Sequence, residues 1–422
     1  MAQRRNSIVP IIILGILFFI FGFVTWLNGT LIPYLKIACE LSSAEALLVA
    51  SAFYLSYFFM ALPMSAVLRR TGFKNGMMVG LFVMAAGALL FIPAAQSRTY
   101  ALFLTGLFVI GTGLTLLQTA SNPYITIVGP IESAAKRISI MGICNKLAGM
   151  LAPVILGAVV LHDSDTLETS LAAMDAAART IALDDLALRV IRPYTIMAIA
   201  LFVLGLFVRF SPLPDQVDEE EATHASTGST GKSSVLQYPQ LVFGALAIFF
   251  YVGAEVIAGD AIGVYGQSQG IPLSETKNFT AWTLGAMLVG YVIGIIAIPK
   301  FITQARALRF SAIAGLLFSV LAMSTSGYVS VLFIALLGLA NALMWPAIWP
   351  LAIEGLGRFT KTGSALLIMG IAGGAVLTPL FGLMCDTPAV GSRVALAIFL
   401  PCYLFILWYA ISGHRMRKWG SA

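Results

Sequence analysis

The sequence predicts an all-α membrane protein with twelve transmembrane helices in two pseudo-symmetric six-helix bundles, and three observations lead to that prediction. Hydrophobic residues make up 59% of the 422-residue chain and charged residues only 10%, which is too little charge for a soluble protein of this size. Apolar runs of roughly 20 residues, long enough to cross a bilayer, alternate with short charged segments. Several motifs of the first half of the chain also return in the second half.

The apolar runs are numbered as spans 1 to 12, and two longer polar stretches interrupt them. One stretch, from His162 to Arg192, is acidic and alanine-rich and is expected to carry a short surface helix. The other is too polar to form a core and is expected to be a flexible linker. The predicted domains are therefore a first bundle at 1–210 with a loop at 163–191, a linker at 211–236 and a second bundle at 237–422. The predicted spans are 8–36, 46–68, 75–95, 99–128, 138–162, 192–210, 237–266, 279–301, 307–326, 328–356, 361–385 and 391–412.

The basic residues predict the orientation of the chain. With an even number of spans both termini lie on one side, and most loop lysines and arginines lie on that same side. Because such residues are retained in the cytoplasm, we expect cytoplasmic termini and linker, with the 163–191 loop on the opposite side. The net charge of +6 comes from these loops, so membrane lipid is an expected partner and nucleic acid is not.

The repeated motifs indicate an internal duplication. In span 4, Gly111 precedes Pro123 by twelve residues, and in span 10, Gly338 precedes Pro350 by the same distance. A Met-Gly-Ile motif also begins corresponding stretches of spans 5 and 11. Two such halves with a binding site between them at mid-depth are typical of secondary transporters.

Span 4 carries the polar stretch from Gly111 to Gly129. Gln118 and Asn122 lie one turn apart on one face, and Pro123 follows directly. A polar helix that is broken by proline is costly in a membrane unless it lines a wet cavity or a protein interior. The stretch is therefore expected to border a substrate path, although the amides could instead cross-link helices.

Other spans carry polar and aromatic residues at comparable depth. Amides donate and accept hydrogen bonds to hydroxyl groups, and indole rings stack on the apolar faces of a sugar ring. We therefore predict a neutral sugar as the substrate, while packing or interhelical bonding remains the alternative for each residue. The residues expected to bind substrate are Asn28, Gln118, Asn122, Asn145, Asn341, Trp345 and Trp349.

Span 7 places two carboxylates, Glu255 and Asp260, within the membrane region, and span 5 carries Lys146. Ionisable groups in a span are costly and usually functional. Three interpretations of the carboxylates stay open: Na⁺ binding, proton binding, or no coupling at all. Lys146 is a possible charge partner for one of them.

Motifs of enzymes are not convincing in this chain. Gly111 and Gly113 lie inside a span with no third glycine at the required spacing, and Lys232 lacks the glycine of a phosphate loop. The four cysteines show no metal or disulfide spacing and are expected to pack in the bundle. We expect no enzyme, no cofactor and no resident metal, apart from a coupling ion.

Five motifs resemble the fucose–proton symporter family of the major facilitator superfamily, and within it the bacterial glucose/galactose transporter branch. The resemblance implies the twelve-helix fold of that superfamily, alternating access, monosaccharide substrates and a place in the bacterial inner membrane. By the same resemblance Asn145 corresponds to an asparagine that contacts sugar. The motifs lie at 21–33, 117–130, 138–146, 251–260 and 340–361.

The chain departs from that family at two positions. Gly29 and Gln118 stand where the fucose symporters have an aspartate and a glutamate that are candidates for proton coupling. Coupling is therefore expected to have moved to Glu255, with Asp260 beside it. The combined prediction is a monomeric importer of a hexose driven by Na⁺ or H⁺. The alternatives are an uncoupled facilitator, a drug or lipid exporter on the same fold, and a membrane receptor or scaffold.

Overall fold

The computed structural model of the protein describes residues 8–127, 134–213, 234–298, 301–356 and 359–419. All regular secondary structure in these ranges is helical, and twelve segments are long and apolar enough to cross a membrane. The predicted fold class is therefore confirmed. The observed spans are Pro10–Ala38, Ser43–Leu68, Arg70–Gln96, Tyr100–Ser121, Ile140–Val160, Ala176–Phe210, Pro239–Asp260, Leu273–Ala297, Gln304–Ser324, Gly327–Ile353, Ala365–Asp386 and Gly391–Arg415.

The first half consists of six spans. The short helix Ser164–Ala173 lies between spans 5 and 6, and span 6 itself begins with a second short helix, Ala176–Leu188. Span 1 is divided at Leu27 into two helices, and spans 2 and 3 form one long helical segment that bends sharply at Gly72. The helices are Ile8–Trp26, Asn28–Ala38, Ser43–Leu89, Phe91–Gln96, Tyr100–Ile127, Ala134–Val160, Ser164–Ala173, Ala176–Leu188 and Ile191–Phe210.

The second half repeats this plan with more interruptions. Regular helix is interrupted directly after span 7 at Ala261, in span 10 at Ala342 and Leu343, and in span 11 by a 3₁₀ turn. The α-helices are Pro239–Asp260, Ile262–Ser268, Leu273–Thr276, Phe279–Ala297, Gln304–Ser324, Gly327–Asn341, Met344–Ile353, Thr360–Met369, Gly373–Asp386, Gly391–Ala395 and Phe399–Ile411. The 3₁₀ helices are Val235–Gln237, Gly370–Ala372, Leu396–Ile398 and Gly413–Arg415.

Local sequence explains where span 2 begins and ends. Ser42 accepts a hydrogen bond from the backbone of Glu45, whose carboxylate accepts one from the backbone of Ser42. This capping box satisfies two amide groups that the start of a helix leaves unpaired. At the other end Gly72 has φ of 75°, a left-handed conformation that glycine adopts without a steric penalty.

The repeated glycines make equivalent contacts in the two halves. A Cβ atom on Gly111 would lie 2.5 Å from the carbonyl oxygen of Phe53 in span 2. A Cβ atom on Gly338 would lie 2.1 Å from the carbonyl oxygen of Thr283 in span 8. Spans 4 and 10 therefore approach spans 2 and 8 so closely that a side chain would not fit, as the duplication implies.

Two expectations about the helices need correction. Pro123 does not break span 4, because the helix continues from Tyr100 to Ile127. The stretch from His162 to Arg192 holds two short helices rather than one, Ser164–Ala173 and Ala176–Leu188, before the helix that begins at Ile191. The second begins where the Asp175 side chain accepts a hydrogen bond from the backbone of Ala178. Most of the predicted linker, residues 214–233, lies outside the described part of the chain.

Span 6 illustrates how the bundle meets the membrane. Ile196, Ile199, Phe202 and Val203 are about half exposed or more, with exposed fractions of 49–60%. Such a row of bare apolar side chains suits lipid rather than water. Most buried apolar side chains instead form one large core that draws on both halves. A second, smaller cluster consists of Trp26, Leu284, Met287, Tyr291 and Ala342.

Candidate functional site

An ion pair joins the two halves within the membrane region. Lys146 Nζ of span 5 lies 2.9 Å from Glu255 Oε1 of span 7, and each side chain is only 9% exposed. The ammonium group also lies 4.5 Å from the ring centre of Trp26 in span 1, within the range of a cation–π contact. The two predicted charged residues are thus partners, and Trp26 completes the contact.

Aromatic rings extend this contact into span 10. Tyr251, one turn before Glu255, lies with its ring centre 6.5 Å from that of Trp345. Trp345 in turn stacks on Trp349 at 5.3 Å. Both indoles are half-buried, so part of each ring remains accessible to a substrate.

Two predicted amides of the first half are also half-buried. The amide nitrogen of Gln118 donates a hydrogen bond to the hydroxyl of Tyr57 at 3.0 Å. That of Asn145 makes a long contact of 3.4 Å with the carbonyl oxygen of Phe18. Each amide has capacity left for a further partner. The side chain of Asn122 lies outside the described part of the structure.

Two other predicted amides are fully buried at interruptions of the helices. Asn28 follows the interruption in span 1, and Asn341 precedes the one in span 10; their exposed fractions are 1% and 0%. The carbonyl of Asn341 accepts a hydrogen bond from the hydroxyl of Tyr403 at 2.9 Å. The amide nitrogen of each has no partner among the described residues. In this conformation both amides belong to the packed interior.

Asp260 is the last residue of span 7, directly before the interruption at Ala261, and is 0% exposed. Neither of its carboxylate oxygens has a hydrogen-bond partner within the described ranges. The backbone carbonyls just before it have hydrogen-bond partners. The hydroxyls of Thr280 and Thr283 donate to the carbonyls of Gly259 and Ala258, both at 2.7 Å. The two carboxylates of span 7 therefore have different environments, since Glu255 is paired and Asp260 is not.

The halves are bonded together at the end of the bundle opposite the termini, which we call the far end. The Lys277 ammonium donates to the carbonyl of Leu161 at 3.0 Å, and the Thr30 hydroxyl contacts the carbonyl of Lys277 at 3.4 Å. On the other side of the bundle the backbone of Ala44 donates to Asp386 at 2.8 Å. These contacts close the far end.

Gly29 and Gly259 allow this closure. A Cβ atom on Gly29 would lie 2.0 Å from the hydroxyl oxygen of Thr280, and one on Gly259 would lie 2.4 Å from the ring of Trp26. Such distances are much shorter than van der Waals contact. Position 29 therefore has no room for a side chain in the closed conformation.

Sequence reasoning did not select three residues that belong to the site. Trp26 and Tyr251 lie in the motifs at 21–33 and 251–260, but their partners Lys146 and Trp345 come from distant spans. Tyr57 had no motif to mark it. A signal was available, because a tyrosine inside a span needs a partner for its hydroxyl, and Gln118 provides it.

The site can recognise a neutral polar solute more readily than an ion. Its one buried cation, Lys146, is neutralised by Glu255. Half-buried amides and indoles supply hydrogen bonds and flat apolar surfaces. In the ranges that the structure describes, no group of three or more histidine, cysteine, aspartate or glutamate side chains is arranged to hold a metal ion, and the four cysteines are free.

Comparison with known proteins identifies the family. The sequence profile of the Major Facilitator Superfamily matches residues 14–379. The chain belongs to the Major Facilitator Superfamily. It is 36% identical to the glucose/galactose transporter of Brucella abortus, covering 98% of this chain and 96% of that protein. It is 28% identical to the L-fucose-proton symporter of Escherichia coli, covering 98% of this chain and 94% of the symporter.

The fold of this superfamily member matches a solved relative over nearly its full length. The crystal structure of a Major Facilitator Superfamily transporter, FucP, in the outward conformation aligns with a TM-score of 0.73 and 28% identity; a structure of the Escherichia coli fucose:proton symporter, FucP, gives the same values. The alignment with the outward conformation covers 96% of this chain and 99% of that chain. The resemblance drawn from the five motifs is therefore confirmed.

Proposed function

We propose that this protein imports a hexose of the glucose or galactose type across the bacterial inner membrane by alternating access, as a symporter with a cation. The sugar lies between Gln118, Asn122 and Asn145 of the first half and the indoles of Trp345 and Trp349 in the second. Asn28 and Asn341 support the interrupted helices behind this site. The protein acts as a monomer in lipid, without a cofactor and without enzymatic activity.

The observation that carries the proposal is the Lys146–Glu255 pair, which joins the two halves, together with the Tyr251, Trp345 and Trp349 rings that extend from Glu255 into span 10. A sugar offers hydroxyl groups to amides and a flat C–H face to indoles. The curated relatives that match almost the whole chain are named as transporters of glucose and galactose or of L-fucose. The chemistry of the site and the names of the relatives therefore both favour a monosaccharide as the substrate.

The orientation follows from the positive-inside rule, which puts both termini and the linker in the cytoplasm. The far end then faces outward, and the conformation described here is closed to the outside. Import requires the halves to rock about the mid-depth site, so that the contacts of Lys277 and Asp386 separate.

The carboxylates of span 7 favour coupled transport over a facilitator. A buried acid in a span is costly, and a function is the usual reason for its presence. Na⁺ at Glu255 fits poorly, because the Lys146 ammonium already occupies the position 2.9 Å from Oε1. The coupling cation therefore involves Asp260.

Counterflow in proteoliposomes tests the sugar assignment without depending on coupling. Vesicles preloaded with unlabelled sugar should take up labelled glucose or galactose transiently above the external concentration. N-acetylhexosamines and lipophilic cations supplied in parallel define the selectivity. If only lipophilic cations are exchanged, the protein is an exporter of that class and the sugar proposal is wrong.

A further inference from the structure

Asp260 is a carboxyl group for which the site described above provides no partner. It is 0% exposed, and both oxygens are without a hydrogen bond to any described residue. Burying an ionised carboxylate without a partner is strongly unfavourable, whereas a neutral carboxylic acid is tolerated. This environment suits an acid that carries a proton.

The stretch around Asp260 is covered by the opposite half of the molecule. Gly259 packs directly on the ring of Trp26, and Gly263 lies against the backbone of Gly29. Both contacts join span 7 to span 1. When the halves part at the far end these contacts break, so water from that side reaches Asp260.

Three titratable groups act electrostatically on or with Asp260. They are Glu255 on the same span, Lys146 on span 5 and Tyr54 on span 2. Spans 1 and 8 also pack on this stretch, but the side chains that they present to it do not titrate; these are Trp26, Thr280 and Thr283.

The Lys146 ammonium is the one positive charge in this group. In the present conformation it is bonded to Glu255 at 2.9 Å and leaves Asp260 unpaired. Since Lys146 belongs to the first half and both carboxylates belong to the second, rocking of the halves moves the ammonium relative to both acids. A closer approach of Lys146 would stabilise the ionised form of Asp260.

We propose that Asp260 is the proton-binding group of the transport cycle and that Lys146 controls release of the proton. Asp260 takes one proton from water when the far end is open and holds it while the far end is closed. The proton passes to water on the other side when, with the far end still closed, Lys146 moves from Glu255 toward Asp260. This inference rests on the proposed sugar transport and assigns the cation that accompanies the sugar.

The surroundings favour a proton over Na⁺. Hard metal cations require several oxygen ligands, whereas a proton requires one lone pair. The carbonyls of Ala258 and Gly259 each use one of their two lone pairs to accept a hydrogen bond from a threonine hydroxyl. The described part of the chain also contains no cluster of three acidic, histidine or cysteine ligands.

The first test measures protons moved with the sugar. Full-length protein in weakly buffered proteoliposomes should alkalinise the medium when glucose or galactose is added, and Asp260→Asn should reduce this proton movement at least tenfold. Asp184→Asn, at an exposed position of the far end, is the control and should match the wild type. Wild-type proton movement in Asp260→Asn, or accumulation by wild type driven by a Na⁺ gradient at constant pH, would overturn the assignment.

A second measurement remains informative if Asp260→Asn loses all transport. Infrared spectroscopy of the purified protein at neutral pH should show the carbonyl stretch of a protonated carboxylic acid, and Asp260→Asn should lack it. Persistence of the full band in Asp260→Asn contradicts the inference. This readout needs no sugar. If the carboxylic acid band is present but no sugar is exchanged, only the proposed function is refuted. If sugar is exchanged but neither proton movement nor the band is seen, only the proton site is refuted.

Discussion

Lys146 Nζ lies 2.9 Å from Glu255 Oε1, although the two residues belong to opposite halves and are 109 positions apart in the sequence. Both are almost fully buried, and Trp26 lies under the ammonium group. A paired charge at this depth neutralises the site while linking the two bodies that must move. It also distinguishes Glu255 from Asp260, which has no such partner.

Single substitutions of this pair should be more damaging than the double substitution. Lys146→Met leaves an unpaired buried carboxylate and Glu255→Gln an unpaired ammonium, and each should cost about 3–5 kcal/mol. The double variant removes both charges and should recover much of this loss. Thermal unfolding in detergent measures the stability of the wild type, the two single variants and the double variant.

Arg179 and Glu40 provide the matched control for these variants, because their ion pair is exposed, at 41% and 49%. Arg179→Met should cost less than about 1 kcal/mol. Additive effects of Lys146→Met and Glu255→Gln would mean that the two charges do not stabilise one another.

Asn145 and Asn341 should respond differently to alanine. Asn341 is fully buried and bonded to Tyr403, so Asn341→Ala leaves a hydroxyl unpaired and should cost about 1–3 kcal/mol of stability. Asn145 is half-buried with one long hydrogen bond, so Asn145→Ala should mainly weaken sugar exchange. Thermal unfolding and counterflow on both variants separate the two roles. Equal losses of exchange at unchanged stability would show that Asn341 contacts the sugar.

Alanine at Gly29 or Gly259 should open the far end. The added methyl group would collide with Thr280 or Trp26 in the closed conformation. Spin labels on cysteines introduced at Ser43 and Thr387, in a background without the native cysteines, report the separation of the halves. Gly285→Ala is the control, because its Cβ atom would meet Met150 at an ordinary 3.6 Å. A distance distribution unchanged from wild type in both Gly29→Ala and Gly259→Ala would contradict the steric argument.

The far-end loop should contribute stability that depends on pH. Arg189 donates two hydrogen bonds to Asp163 at 2.6 and 2.8 Å, and this pairing lowers the pKa of Asp163 below its ordinary value. The stability that this ion pair contributes is therefore fully present above the ordinary aspartate pKa of about 4. It is lost as the pH falls through the lowered pKa of Asp163.

Arg189→Met should accordingly reduce the melting temperature at pH 7 and should differ less from wild type as the pH falls below about 4. Melting curves across this range measure the difference, with the exposed Arg192→Met as control. If the difference in melting temperature between Arg189→Met and the wild type increases as the pH falls, the prediction is wrong.

The sequence was sufficient to predict the fold because membrane crossing imposes long apolar runs that composition reveals directly. It also indicated the duplication, since Gly111 and Gly338 are required where helices touch. The interruptions at Leu27, Ala261 and Leu343 were not predicted, because glycine or proline does not occupy these positions. Tertiary contacts such as those of Thr280 and Thr283 support the backbone there.

The site was predictable only in part, for a related reason. Amides, indoles and charges within spans are costly enough to attract attention one residue at a time. Their pairing depends on how helices that are distant in sequence pack together. Lys146 was expected to have a partner, but Glu255 could not be chosen over Asp260 without the structure. The same packing information showed that Asn28 and Asn341 are buried while Gln118 and Asn145 remain half-exposed.

The central claim is that one sugar is bound jointly by both halves, and calorimetric titration of the purified protein with glucose and galactose tests it most directly. Gln118→Ala represents the first half, Trp345→Ala the second, and Asn75→Ala, whose amide bonds locally to Thr71, is the control. We predict saturable binding to wild type and control and a rise in Kd of roughly tenfold or more in each site variant, since each loses about 1.4 kcal/mol of contact. Wild-type affinity in both site variants, or no binding of either sugar to the wild type, would contradict the account.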